Sequence, residues 1–309
     1  MSVWNDIKGM WRTGGVLLRL IIINVAVFLA LLIVGLVVIL VEGSPLLADD
    51  WMQRHVTPYL ASTSNLNALL LKPWTAITYM FTHEGAMHIL FNMIMLWFSG
   101  RLFGGLLGDR RLLGNYLLGG LAGFAFFLLF ANTPVLRPYS GEGMILGASA
   151  SVMAIFIGIA AYQPELEVRL MLLGAIRLKW LALIFLLLDL IAIRYNSDDN
   201  SGGHIAHLGG ALYGYLAAMQ LKKGNDWSLG FINGLERIGK ALSFRRGPRL
   251  KVVQTPRGKR VSDAEYNASR KAAQANIDVI LDKISRSGYE SLSKSEKDIL
   301  FKASNDGKH

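Results

Sequence analysis

Cysteine is absent from the 309-residue chain, which excludes disulfide bonds, thiolate nucleophiles and cysteine-ligated metal sites. Charged residues are also scarce: they make up 17% of the chain, compared with roughly a quarter of a soluble domain. Hydrophobic residues account for 52%, so we expect much of the surface to face a lipid bilayer. The net charge of +10 is concentrated in the C-terminal part of the chain. Basic flanks are usual in membrane proteins, and we predict no nucleic-acid partner.

Six apolar runs are candidates for membrane-spanning helices, each of which needs about 20 residues. The first run, 16–41, is too long for the core of a signal peptide and has no small-residue cleavage site after it, so we expect a retained helix. The five later runs cover 86–107, 112–131, 146–162, 176–193 and 203–221. The last of them, the sixth run, is only moderately apolar. The sequence therefore predicts an all-α membrane protein with a bundle of six transmembrane helices.

The distribution of basic residues predicts that both termini are cytoplasmic, as in a multi-pass protein of a bacterial inner (plasma) membrane. Short cytoplasmic flanks carry more Lys and Arg than flanks on the other side. A cytoplasmic N-terminus puts ten such residues inside (Lys8, Arg12, Arg101, Arg110, Arg111, Arg169, Arg177, Lys179, Lys222, Lys223) and four outside (Arg54, Lys72, Arg137, Arg194). The second, fourth and sixth helices then begin in the outer half of the membrane.

The chain divides into four predicted parts. A cytoplasmic segment, 1–15, precedes the six-helix domain, 16–223. A basic linker at 224–261 is either solvated or in contact with anionic lipid. The last part, 262–309, is expected to be a small, soluble, helical tail without chemistry of its own. Its second helix opens on the sequence Ser-Lys-Ser-Glu, which is typical of a capping box.

Four of the six histidines lie near the outer ends of the second and sixth helices, and ionisable residues inside a membrane are usually functional. His88 and Asn92 are four residues apart and share a helix face. They could donate hydrogen bonds to an oxyanion or form an interhelical pair. His83 and His88 resemble a zinc motif but are five residues apart, which turns them about 140° away from each other on a helix.

A metal site is not expected elsewhere in the outer half either. His204 and His207 could ligate a metal, but no nearby carboxylate suggests itself as a third ligand, so we predict neither a metal nor a cofactor. Asp189, in the fifth helix, is interpreted as structural because a single Asp cannot form an aspartyl dyad. His204 is interpreted as a residue of the pocket rim.

Ser149 and His207 are the candidate nucleophile and base. Ser149 follows Gly147 and Ala148 at the start of the fourth helix, where free backbone amides can stabilise negative charge, although serine is also a common N-cap. Ser151 points to nearly the opposite face. Small residues repeat every four positions in the fourth helix (Ala150, Ala154, Gly158) and in the sixth (Ala206, Gly210, Gly214, Ala218). Such stripes let helix backbones approach closely, which would bring a hydroxyl and an imidazole together.

These residues resemble the signatures of the rhomboid family of intramembrane serine proteases. His88 and Asn92 are similar to its H-x-x-x-N motif, and the segment from Gly147 to Ala150 is similar to its G-x-S-G motif. The segment 206–214 is similar to its A-H-x-x-G-x-x-x-G motif. Three motifs in order on predicted helices make the resemblance specific over about 16–223.

The resemblance implies an intramembrane serine endopeptidase with a six-helix fold. Ser149 would be the nucleophile and His207 the base, with His88, Asn92 and the backbone amides of Ala148 and Ser149 as the oxyanion hole. Gly147, Gly210 and Gly214 would support helix packing. The family needs no metal or carboxylate. Its substrates are single-span membrane proteins cut near the outer face of the lipid bilayer. The oligomeric state is not predicted.

Two residues depart from the family pattern. Ala150 replaces the glycine after the nucleophile, and Met153 stands where many members carry an aromatic residue. A catalytically silent rhomboid-like protein that binds transmembrane clients is the alternative hypothesis, against which the presence of both Ser149 and His207 argues. A transporter or channel is disfavoured, because the polar cluster is confined to the outer half. The polar loop 194–202 is a candidate mobile cap.

Overall fold

The computed structural model describes residues 8, 9, 11–135, 137, 143–170, 174–195, 200–242 and 263–306. The chain separates into two compact units, residues 1–243 and residues 244–309.

Six long helices of the first unit coincide with the six apolar runs. They are α1 (Val16–Glu42), α6 (Ala86–Leu107), α7 (Asp109–Asn132), α8 (Ser149–Tyr162), α9 (Leu178–Tyr195) and α10 (Ser201–Lys222). The prediction of helices in these places is confirmed within a few residues. Three of them, α1, α6 and α7, are long and apolar enough to cross a membrane, and α8 is a shorter apolar helix.

The central helix of the bundle is α8, whose residues from Ala150 to Ala160 are all buried. It packs against α6, α7 and α10. By contrast, α1 buries only Leu20, Asn24 and Val38 among its 27 residues. An apolar helix with so little buried surface would expose its side chains to water unless lipid covered them, and α1 therefore has the character of a lipid-facing helix.

Small residues allow α7, α8 and α10 to pack with their backbones in contact. A Cβ added at Gly210 would overlap the backbone oxygen of Ala150, and one added at Gly214 would overlap that of Ala154. Both partners advance by four residues together, so α8 and α10 run in the same direction. The predicted contact between two small stripes is confirmed, and no side chain larger than hydrogen fits at either glycine.

The long connection between α1 and α6 consists of short elements. They are α2 (Pro45–His55), α3 (Thr57–Leu60), β1 (Ser62–Thr63), α4 (Leu66–Leu71), α5 (Thr75–Thr78) and a 3₁₀ turn, η1 (Tyr79–Phe81). Strand β1 pairs antiparallel with β2 (Met144–Ile145), just before α8. A hairpin formed by β3 (Glu167–Leu170) and β4 (Gly174–Arg177) joins α8 to α9.

Buried hydroxyl groups fasten the turn η1 to the bundle. The hydroxyl of Tyr79 donates to the backbone oxygen of Gly120 at 2.6 Å, and that of Tyr116 donates to the oxygen of Met80 at 2.8 Å. The amide of Asn24 donates to Tyr116 at 3.1 Å. Polar groups buried in an apolar bundle need such partners, and these bonds hold the turn at a fixed depth.

The prediction of a linker from residue 224 is wrong over its first part, because α11 (Trp227–Leu242) is a helix packed against α7. Arg110 pairs with Glu236 at 2.7 Å, and Arg111 pairs with Asp226 at 2.6 Å. Asp226 also accepts a bond from the amide of Leu229 at 2.9 Å and so caps the helix. These bonds hold the pKa of Asp226 below its usual value. The remainder of the predicted linker, 243–261, lies outside the described residues.

The second unit contains α12 (Asp263–Ser287), a 3₁₀ turn η2 (Tyr289–Ser291) and α13 (Lys294–Asp306). The predicted capping box is confirmed: the amide of Ser293 donates to Glu296 at 2.7 Å, and the amide of Glu296 donates to the Ser293 hydroxyl at 3.4 Å. Lys283 and these bonds lower the pKa of Glu296 to about 2. Among the described residues of this unit, Ile280 and Leu292 form the buried interior.

Candidate active site

Ser149 is the first residue of α8 and follows a turn that only glycine adopts readily. Gly147 has a φ of +116°, and its amide donates to the backbone oxygen of Tyr79 at 2.9 Å. The turn η1 therefore determines where α8 begins. The first amides of a helix have no partner within it, so the Ser149 hydroxyl lies beside donors directed toward the same space.

His88 and Ser149 border the same space beside Gly147. A Cβ added at Gly147 would lie 2.7 Å from Nε2 of His88 and 3.8 Å from Oγ of Ser149. Asn92 lies one turn further along α6, is buried, and donates to the backbone oxygen of His88 at 3.0 Å. The predicted donors His88 and Asn92 are thus on one helix face, and the His88 ring is next to the serine.

Neighbours of Ser149 and His207 meet at one glycine of α7. A Cβ added at Gly123 would lie 2.6 Å from the Cβ of Ala150 and 2.6 Å from the backbone oxygen of Ala206. His207 also interacts electrostatically with His88. The starts of α8 and α10 therefore lie close together, and His88 is near both Ser149 and His207. Among the described residues, no hydrogen bond joins the Ser149 hydroxyl to the His207 ring.

Asp189 has two imidazole partners, a contact that was not predicted from the sequence. Its Oδ1 is 2.9 Å from Nδ1 of His207 and 2.7 Å from Nδ1 of His204, and its side chain is 10% exposed. A signal for this contact existed in the sequence. Because α9 and α10 are predicted to run in opposite directions, an acidic residue late in α9 lies at the depth of histidines early in α10. His204 is half-buried in this cluster, so the interpretation as a simple rim residue is incomplete.

The expectation that His204 and His207 lack a third metal ligand is wrong. Asp189, His204 and His207 each offer one ligand atom, and these atoms lie within 4.8 Å of one another. The two nitrogen–oxygen distances are hydrogen-bond lengths. Two ligands of a tetrahedral zinc ion would be about 3.3 Å apart, because each is roughly 2.0–2.1 Å from the metal. The cluster as it stands has the dimensions of a hydrogen-bonded triad.

His83 holds the turn before Ser149, a role that sequence reasoning missed. It is 1% exposed, and its Nε2 accepts a bond from the amide of Ala148 at 3.3 Å. Burial, followed by the nearby His88, lowers the pKa of His83 to about 4, so the ring is neutral near pH 7. The Ala148 amide, expected to serve the oxyanion hole, is thus already engaged.

Two departures from the family pattern are accommodated by packing. The methyl group of Ala150 fits against Gly123, which has no side chain to displace. Met153 is buried within α8. Ser151 is also buried, lies against Gly120 of α7 and has no hydrogen-bond partner among the described residues. Its orientation toward α7 agrees with the prediction that it does not share the face of Ser149.

Three helices long and apolar enough to cross a membrane, in a bundle that also contains a cluster of serine, histidine, asparagine and aspartate side chains, define a membrane protein with polar residues among its helices. The chain belongs to the rhomboid family: residues 71–223 match the model of the rhomboid domain. The predicted membership of the rhomboid family is thereby confirmed. Residues 262–306, which contain α12 and α13, match a family of unknown function, DUF6576.

Curated relatives carry the same family name. RHOMBOID-like protein 12, mitochondrial, from Arabidopsis thaliana is 30% identical over 48% of this chain and 47% of its own length. Presenilin-associated rhomboid-like protein A, mitochondrial, from Danio rerio is 29% identical over 53% of this chain and 40% of its own. Rhomboid-like protein 16, chloroplastic, from Arabidopsis thaliana is 27% identical over 69% of this chain and 65% of its own length. The chain thus spans about half the length of the first two. Their names indicate organelles, unlike the bacterial membrane expected from the sequence.

Proposed function

We propose that this protein is an intramembrane serine endopeptidase that cleaves transmembrane segments near the outer face of the bilayer. The observation that carries the proposal is the convergence of Ser149, His88 and His207 around the start of α8 and α10. Membership of the rhomboid family supports it. In this proposal α1 and α6 to α10 are the six spans, and both termini are cytoplasmic.

The proposed chemistry is acyl transfer by a Ser149–His207 dyad. The Ser149 oxygen attacks the scissile carbonyl, and Nε2 of His207 takes the hydroxyl proton. His207 then gives this proton to the leaving amine as the carbon–nitrogen bond breaks. Water, activated by the same imidazole, hydrolyses the resulting ester and restores the serine. Small movements that bring the ring onto the hydroxyl are required, since catalytic hydrogen bonds often tighten only when substrate binds.

The proposed oxyanion hole consists of Nε2 of His88, the side-chain amide of Asn92 and the backbone amide of Ser149. Asn92 uses one of its two N–H groups on the backbone of His88, which leaves the second for the oxyanion. The Ala148 amide is not included, because it donates to His83. One donor in such a hole is typically worth about 3–4 kcal/mol of transition-state stabilisation.

The proposed substrates are single-span membrane proteins, an assignment that rests on the family. An extended segment would enter from the lipid side, where α9 exposes most of its apolar residues. The loop 194–202 is the candidate cap over the site. Residues 196–199 of this loop lie outside the described residues, so its role stays a prediction.

Replacement of the nucleophile tests the proposal. Purified protein in liposomes is given a model transmembrane substrate, and the cleavage products are quantified. We expect Ser149→Ala and His207→Ala to reduce cleavage by at least about 1,000-fold, as loss of a nucleophile or its base does elsewhere. Ser151→Ala is the matched control, since it removes a buried hydroxyl two residues away in the same helix. Undiminished cleavage by Ser149→Ala would refute the assignment.

The alternative, a silent protein that binds transmembrane clients, is favoured by the absence of a bond between Ser149 and His207 among the described residues. Labelling with a fluorophosphonate distinguishes the two functions. An active enzyme reacts covalently at Ser149, whereas a silent protein retains crosslinkable clients without labelling. Label on Ser149 that disappears in His207→Ala would support the peptidase, because the serine is nucleophilic only beside a working base.

A further inference from the structure

Asp189 occupies a position from which it can control the imidazole of the proposed base. Its carboxylate, on α9, is nearly buried. One carboxylate oxygen, Oδ1, accepts hydrogen bonds from Nδ1 of both His207 and His204. An ionised carboxylate only accepts hydrogen bonds, so each Nδ1 must carry a proton. The proton on Nδ1 of His207 leaves Nε2 as the basic nitrogen of the neutral ring.

We infer that Asp189 is a positioning residue that holds the His207 ring in the tautomer and orientation needed to accept the Ser149 proton. The inference rests on the proposed peptidase function and extends it from a dyad to a three-residue chain. Asp189 does not touch the substrate. It acts by accepting the bond from Nδ1 of His207 and by stabilising the positive charge that the ring gains when it takes the proton.

His204 shares the carboxylate with His207 and so limits the support that Asp189 can give. Both rings donate to the same oxygen, and they lie edge to face with centroids 5.4 Å apart. A positive charge on one ring raises the cost of a positive charge on the other. Removal of His204 should therefore strengthen the hydrogen bond between His207 and the Asp189 carboxylate and make His207 a stronger base.

Other charged or titratable groups near His207 also affect how readily its ring takes up a proton. His88 of α6 interacts with His207 electrostatically, and His83 lies against His88 with ring centroids 5.1 Å apart. Glu84, in the same connection, interacts electrostatically with His88. None of the three is altered by a substitution at Asp189, so a change in pH dependence in that variant reports on the carboxylate itself.

The pH profile of cleavage tests the inference. Asp189→Asn preserves the shape of the side chain but removes its charge. We expect its kcat to fall at least about 10-fold with little change in KM, because orientation and charge in the transition state are lost rather than substrate binding. The acidic limb of the kcat profile should move to lower pH, because a ring without the carboxylate binds its proton less tightly. His204→Gln should move the same limb to higher pH.

The matched control is Asp226→Asn, which removes another partly buried carboxylate, one that is bonded to Arg111 beyond the far end of α10. It should leave the profile in place even if it lowers the stability. A loss of rate in Asp189→Asn with an unmoved acidic limb would assign Asp189 a merely structural role and overturn the inference. An unchanged rate would do the same.

A second measurement does not require the variant to fold. In ¹⁵N-histidine-labelled wild-type protein, NMR should show the neutral His207 ring protonated at Nδ1, and a ring protonated at Nε2 would contradict the inference. Ser149→Ala separates this outcome from the peptidase proposal. If Ser149→Ala still cleaves, the peptidase proposal fails. If it does not cleave and the Asp189→Asn profile is unmoved, only the role of Asp189 fails.

Discussion

Gly147 combines two constraints at one residue, a φ of +116° and a side-chain position filled by His88. Gly147→Ala would place a methyl group 2.7 Å from Nε2 of the proposed oxyanion donor. We expect cleavage to fall at least about 50-fold and stability to fall by about 1–3 kcal/mol, the cost of backbone strain of this kind. Gly224→Ala is the control, since Gly224 has a φ of +88° but open space around it. It should lose comparable stability and keep its activity, whereas equal losses of activity would contradict the argument.

His83 links the protonation of one buried ring to the stability of the turn before Ser149. Its pKa is lowered from 6.5 to about 4, so the unfolded chain binds the proton more readily than the folded one. The stabilising contribution is complete above about pH 6.5 and is lost as the pH falls toward 4, by up to about 3 kcal/mol. Melting temperatures measured in detergent should therefore drop over this interval in the wild type and drop less in His83→Gln. His55→Gln, an exposed control, should follow the wild type, and parallel curves for all three proteins would contradict the role.

Residue types identified most of the candidate site from the sequence, but not how its members are bonded. Ser149, His88 and His207 were recognisable because polar residues in apolar runs are rare and because their motifs are specific. The sequence does not predict the hydrogen bonds of His204 and His207 to Asp189, since pairing between α9 and α10 depends on the rotation of each helix about its axis. The engagement of Ala148 by His83 depends on the irregular turn at Gly147, which no periodic pattern predicts.

At the scale of elements, the contact between α8 and α10 determines the distance between the proposed nucleophile and base. Gly210 leaves no room for a Cβ against the backbone of Ala150. We expect Gly210→Ala to cost about 2–3 kcal/mol of stability, because overpacking a close contact forces the helices apart, and to abolish most of the cleavage. Gly105→Ala in α6 is the control, with open space around it. It should be neutral or slightly stabilising, and equal behaviour of the two variants in thermal unfolding and cleavage assays would refute this account.

Apolar runs predicted the long helices well, because each needs only a continuous hydrophobic segment. The sequence predicts a linker where the amphipathic helix α11 lies, since the run from Trp227 to Leu242 is too polar to cross a membrane. The helix packs against α7 and forms ion pairs with Arg110 and Arg111, which are distant in sequence. The sequence also does not predict the two short strand pairs, because a strand of two to four residues has too little periodicity to detect.

The whole molecule consists of two units, and every residue of the proposed site lies in the first. The second unit has its own buried residues and its own capping box, so its helices do not depend on the site for their formation. We therefore expect a chain truncated after Ser243 to cleave a model substrate in liposomes at a rate within about twofold of the full chain.

A truncation before Trp227 is the informative comparison. It removes α11 and the partner of Arg110, and should lower the melting temperature in detergent because α7 loses the helix packed against it. If truncation after Ser243 reduced cleavage tenfold, the second unit would be needed for catalysis. The expectation that the first unit is sufficient for cleavage would then be wrong.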